Sequence, residues 1–215
     1  MAKPPENETP EHKKQRQREA RRQARQRPFE DKESYRWVEA LEQGTKRVQG
    51  STKVIHIFDR EGDISEVFEK VCHLERTGVV IRATHDRKLD AQSDHLWSKL
   101  QAQPIAFDQE LELPATGKRA ARTARIAVRL CAVNLRTPTR FEDCSPLAGY
   151  AVYAQEVDAP EGETPLSWML LTTEAVHSIE DAARILRWYS FRWRIEEYHK
   201  FLKSGTQVER YRLGD

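Results

Sequence analysis

A β-branched run, "KVIHIFD" over residues 53 to 59, is followed by one stretch of helical periodicity and then by a second apolar run, "VVIRATH". This order restricts the fold more than any other feature of the chain. The first run stops abruptly at "DREGD", which predicts a buried strand with Asp59 at its C-terminal end. Between the runs, Ile64, Val67, Phe68, Val71 and Leu74 recur at helical spacing, and Gly78 is expected to close that helix. A strand, a helix and a strand joined over this length form a βαβ unit with parallel strands. Binding and catalytic groups of open parallel sheets gather beyond the carboxyl ends of the strands. Asp59 and the "RATHDRK" segment are therefore expected at the same edge.

The flanks differ in texture. Residues 1–30 are poor in apolar groups, and Lys13 to Arg27, "KKQRQREARRQARQR", is strongly basic with one acid, Glu19. Such a run reads as a disordered or helical arm, either simply solvated or bound to phosphate backbones. "EDKESYRWVEALEQ" predicts a helix with acids near its start and an apolar stripe of Trp37, Ala40 and Leu41, ending at Gly44. From Asp86 to Thr173, short alternating or apolar runs separated by Pro, Gly and Thr predict an antiparallel β region inserted into the α/β unit. Ser178 and Asp181 form a capping pattern, with Asp in place of the usual Glu or Gln, and open a helix expected to reach Gly205. The organisation read from these signals is an arm over 1–30, an α/β segment over 31–85, a β insertion over 86–173 and a final helix over 174–215.

Composition bounds the function classes. Hydrophobic residues at 38% can supply a core, and the 33% charged residues nearly cancel to +2, so the distribution of charge carries more information than its sum. Three cysteines without CxxC spacing favour neither a disulfide framework nor a zinc site and fit a reducing cytoplasm. No apolar stretch resembles a signal peptide or a membrane span.

The last helix presents the densest chemistry, "YSFRWRIEEYHKFLKSG". Tyr189, Arg192, Glu196 and Lys203 fall within a sector of about 60° at helical periodicity, with Phe191, Ile195, Tyr198 and Leu202 on the opposite side. Arg192 and Glu196 are also spaced for an ordinary surface ion pair. A row of phenol, guanidinium, carboxylate and ammonium suits a phosphodiester: the carboxylate holds Mg²⁺ while the other groups grip backbone phosphates. Asp59 at a strand end is the natural second carboxylate.

The spacing of Tyr189, Arg192, Glu196 and Lys203 reproduces the Y-R-E-K signature of bacterial insertion-sequence transposases of the DDE class. "FDREGDI" is similar to the block around that family's second catalytic aspartate, and "GETPLSWMLLTTE" and "EDKESYRW" also look like family segments. The resemblance covers roughly residues 30–212. It implies an RNase H-like core interrupted by a β-strand insertion, and DNA-mediated transposition by phosphodiester cleavage and strand transfer at Mg²⁺, or Mn²⁺. It also implies double-stranded transposon ends as partner, a homodimer for an intact member, and a bacterial cytoplasm, at the nucleoid, as location.

By that resemblance Asp59 is the second catalytic aspartate and Glu196 the glutamate, and both are metal ligands. Tyr189, Arg192 and Lys203 contact the DNA backbone. Trp168 takes the place of a tryptophan that stacks to accommodate a flipped base, its alternative being a strand core residue. Arg82 touches DNA or forms a salt bridge, and Glu61 and Asp63 read as helix-start acids. The family's first catalytic aspartate lies on a strand preceding the basic arm. Here Asp31 is the only aspartate before Asp59 and is a poor substitute in its polar helix start. The chain therefore looks like the middle of a transposase, for which a catalytically inactive DNA-binding remnant, or an interfering partner of a full-length transposase, is the alternative to an active enzyme. An RNase H-like nuclease unrelated to transposition is a third reading. Without its usual neighbour, the strand from Val54 to Phe58 is expected to leave a hydrophobic edge open.

Overall fold

The computed structural model describes residues 10–90, 94–113, 115, 120–138, 141, 147–192, 194–195, 198 and 201–202. The elements run α1 (Pro10–Gln26), α2 (Tyr35–Arg47), β1 (Val54–Phe58), α3 (Ser65–Cys72), β2 (Thr77–Arg82), α4 (Leu96–Gln101), β3 (Phe107–Leu113), β4 (Arg122–Leu135), β5 (Leu147–Glu156), β6 (Ser167–Thr172) and α5 (Ile179–Phe191). The six strands form one mixed sheet in the order β1-β2-β6-β5-β4-β3. β1 and β2 are parallel, with Phe58 beside Ile81, and α3 crosses between them as the apolar periodicity requires. β6 pairs antiparallel with β2, so the strands of the inserted region extend the α/β sheet instead of forming a second one.

Alternation along β2 distributes the core. Val79 and Ile81 pack with Val38 and Leu41 of α2, Val67, Phe68 and Val71 of α3, and Leu96 and Leu100 of α4. Val80 points to the other face, where Ala182, Ile185, Leu186 and Tyr189 of α5 close a second cluster. The sheet is thus sandwiched between α2, α3 and α4 on one side and α5 on the other, and each fully buried Leu or Ile contributes about 1.5–3 kcal/mol relative to exposure. The same alternation puts Arg82 on the α5 side.

Several boundaries differ from expectation. Gly44 does not end α2 but sits inside it, because the helix packs over His56; a Cβ there would stand 2.6 Å from His56 Cε1. Gly78 does not cap α3 but lies in β2, where a Cβ would collide with the Glu174 carboxylate. The tight reversal is made by Arg76 at φ 54°, whose guanidinium bonds the carbonyls of Gly50 and Thr52. The helix α4 has no counterpart in the sequence reading. At α5 the Ser178–Asp181 capping box is present in both directions. Regular α5 closes at Phe191, Arg192 keeps helical backbone angles, and residues 194, 195, 198, 201 and 202 are helical again; Gly205 lies outside the described residues. Among the described residues no helix is long and apolar enough to cross a membrane.

Candidate functional site

Asp59 directly follows β1, and its carboxylate is fixed locally: Oδ1 accepts a hydrogen bond from the Glu61 amide at 2.9 Å, as the cap of a single 3-10 turn, Arg60–Gly62. Oδ2 points toward the C-terminal end of α5, where Arg192 Nη1 stands 4.0 Å away. A cation there suits the negative end of the helix dipole. The 3-10 turn is held from beyond β2 by Asp63, which is buried. Its oxygens accept from the amides of Thr84 at 2.6 Å and His85 at 2.9 Å, and from Arg87 Nε at 3.0 Å and Nη2 at 2.6 Å. Asp63 is close to a helix start, as expected, yet its hydrogen bonds go to the segment after β2. They tie the Asp59 turn to the "RATHDR" segment across the sheet edge.

Beside this turn a cavity of about 970 Å³ opens between the end of β2, the start of β6 and the end of α5. Its polar lining includes Arg60, Arg82, Arg192 and Arg194, with Glu112 as the one carboxylate among the described lining residues. Trp168 forms an apolar wall, its ring edge-on to Tyr189 at 5.1 Å and 71°. Arg82 donates to the Ser167 carbonyl at 2.9 Å. Burial pushes the Arg82 guanidinium below its ordinary pKa, the Tyr189 phenol opposes this, and the Arg60 and Arg192 cations add to the lowering. The Tyr189 hydroxyl is buried in this wall without a geometrically good hydrogen-bond partner, next to Arg82.

Of the residues singled out from sequence, the fold brings Arg82, Trp168, Tyr189 and Arg192 to one cavity and Asp59 to its margin. Glu196 and Lys203 lie outside the described residues. Tyr189 of the expected polar side is buried, and Phe191, Ile195 and Tyr198 of the expected apolar side are exposed. Tyr189 is 3% exposed, whereas Phe191 is 38%, Ile195 56% and Tyr198 59% exposed. The reason is the stripe Ala182, Ile185, Leu186 and Tyr189, whose i, i+3, i+4, i+7 spacing puts Tyr189 against the sheet. Trp168 is half-buried and serves both as strand packing and as cavity wall. Sequence reasoning missed Arg60 and Arg194. Adjacency to Asp59 was the available signal for Arg60.

Asp59 fits a hard cation such as Mg²⁺: it is an oxygen donor, 37% exposed, with Oδ2 at salt-bridge limit from Arg192. Asp63 does not fit, because both its oxygens are engaged and its side chain is fully buried. Glu61 is engaged with Arg36. Among the described residues no three His, Cys, Asp or Glu side chains are grouped as a metal site. Fold and cavity define a mixed α/β protein with an arginine-lined cleft at the carboxyl ends of two parallel strands. No family model matches the chain.

Proposed function

We propose that this chain is a DNA transposase of the DDE class, with an RNase H-like core, that holds the phosphate backbone of double-stranded DNA in the arginine-lined cleft. The observation that carries the reading is the position of Asp59, at the end of β1 and within 4.0 Å of Arg192, beside a cleft walled by Trp168 and Tyr189. Guanidinium groups supply bidentate donors matched to phosphate oxygens, and an aromatic wall offers a stacking surface for an unpaired base. Asp59, together with Glu196 from the Y-R-E-K signature, would hold Mg²⁺ or Mn²⁺. A divalent ion bound there supplies Lewis-acid polarisation of a phosphoryl oxygen and an activated water or hydroxyl. The chain's own contribution is positioning: Arg82 and Arg192 orient the backbone, Trp168 excludes water from one side, and Lys203 extends the row of cations by its place in the signature.

A DNA-binding protein without cleavage is the second reading. It is favoured by the excess of arginine over carboxylate in the described lining of the cleft, which serves phosphate binding whether or not a cut follows.

The test is DNA binding together with Mg²⁺-dependent cleavage of a labelled duplex by wild type and Glu196→Ala. Products from wild type alone support the transposase. Binding without products in either protein supports the second reading, and equal products in both remove the glutamate from the mechanism. Absence of any binding would sink both.

A further inference from the structure

Helix α1 poses a problem that the cleft does not answer. Its sequence, "PEHKKQRQREARRQARQ", has two alanines as its only apolar residues, so it has no stripe to bury against the sheet. Every α1 residue whose exposure the structure describes, Glu11 to Arg16, Arg18, Glu19 and Arg22, is exposed. Helices in proteins owe most of their stability to packing of an apolar face, and isolated helices near this length are marginal in water.

The charge pattern makes the difficulty sharper. Lys14, Arg18 and Arg22 follow one another at i, i+4 and i+8 within a sector about 80° wide, with Lys13 and Arg16 on the other side of the helix. Like charges at i, i+4 disfavour the helix by a few tenths of a kcal/mol each. Glu11 alone shares that sector, and Glu19, which accepts from Gln15 at 3.4 Å, lies about 60° beyond it. A helix with a basic stripe and nothing apolar to anchor it is stabilised by a polyanion laid along the stripe.

Two features select the polyanion. Membrane surfaces are bound by helices whose opposite face is apolar, and α1 lacks such a face. A helix of 17 residues, about 25 Å long, fits the major groove of B-form DNA, whereas the deep, narrow groove of A-form RNA does not admit one. We infer that α1 is a second, sequence-independent docking element, seated in the major groove of duplex DNA by the Lys14, Arg18, Arg22 stripe. The arm thus adds affinity and a steep salt dependence, and duplex DNA in turn stabilises the helix. This holds whether or not the arginine-lined cleft acts on DNA.

The experiment uses the full chain, a random-sequence 30-base-pair DNA duplex, the matching RNA duplex and phosphatidylserine vesicles. The triple variant Lys14→Gln/Arg18→Gln/Arg22→Gln is compared with wild type by anisotropy across salt and by circular dichroism at 222 nm. The expected result is a loss of at least about tenfold in DNA affinity, with the slope of log K against log salt reduced by about 3, one unit per removed phosphate contact. Helical signal should rise on adding DNA to wild type and less in the variant. Unchanged affinity and slope would overturn the inference, as would RNA bound as tightly with the same loss, or vesicle binding that alone responds to the variant. Arg192→Gln, in the cleft, should leave the α1-dependent part of the slope intact, so a failure of the cleft reading is separable from a failure of this one.

Discussion

Arg192 Nη1 and Asp59 Oδ2 stand 4.0 Å apart, joining the end of α5 to the end of β1 across the margin of the cleft. Their side chains are 22% and 37% exposed, and a pair this accessible and this long contributes little to stability. Its consequence is electrostatic and local. Arg192→Gln should leave the thermal midpoint within the shift produced by about 1 kcal/mol and weaken duplex binding several-fold, as removal of one phosphate contact does. Melting curves and anisotropy measured on the same preparation check both halves. A large fall in midpoint with unchanged binding would make Arg192 a structural residue.

Asp63 and Arg87 have the opposite character. Asp63 is 1% exposed and its carboxylate accepts four hydrogen bonds, so removing it takes the carboxylate partner from the half-buried Arg87 guanidinium and the acceptor from two amides. Asp63→Ala should destabilise the fold by about 3–5 kcal/mol, read as a lower urea midpoint. If the midpoint is retained, the tie between the Asp59 turn and the end of β2 is not what holds them.

The cap of α5 should be sensitive to acid. Hydrogen bonding from the His177 amide, then the Arg184 guanidinium, lowers the Asp181 carboxyl from 3.8 to about 2. Because the folded value is depressed, the stabilisation is fully present above the unfolded pKa and is lost as pH falls toward about 2. Asp181→Asn should abolish this component of the pH dependence of the midpoint between those values. A carboxyl resonance of Asp181 titrating at the ordinary value would refute it.

Gly44 offers a test of packing against propensity. In an exposed helix interior Gly→Ala stabilises by about 1 kcal/mol. Here the new Cβ would lie 2.6 Å from the His56 ring, whose Nε2 is itself 3.1 Å from Thr45 Oγ1. Gly44→Ala should therefore destabilise by about 1–3 kcal/mol. Adding His56→Ala should remove the clash, so that the two changes combine non-additively in a double-mutant cycle.

β1 forms an edge of the sheet among the described residues, with Val54 to Ile57 half-buried. An open apolar edge invites association. The expected behaviour is concentration-dependent scattering and a melt below about 50 °C, low for a mesophilic domain. A cooperative transition well above that in a monomer would show the edge to be protected.

The parallel pair β1 and β2, the intervening α3, the antiparallel strands and the cap of α5 were legible in the linear order of residues, because each rests on local periodicity or capping chemistry. Tyr189 and Arg192 stood out by helical spacing, whereas Arg82 and Trp168 were singled out only through the family resemblance; the fold brings all four to one cavity. What could not be read was which side of α5 the sheet would cover. Phe191, Ile195 and Tyr198 recur at helical spacing yet are exposed, while Ala182, Ile185, Leu186 and Tyr189 are buried against the sheet.

Local sequence determined the β1-α3-β2 order, the antiparallel character of the strands that follow and the capped start of α5, with Asp59 and Arg82 at strand ends, although it did not reveal α4. Tertiary structure alone decided that Gly44 and Gly78 serve close packing and not helix termination, that Asp63 reaches across to Thr84, His85 and Arg87, and that Arg60 joins Arg192 and Arg194 around one cavity. The physical reason is range. Periodicity and caps are set by neighbours a few residues apart, whereas close approaches and the convergence of charges depend on segments that meet only after the sheet has formed.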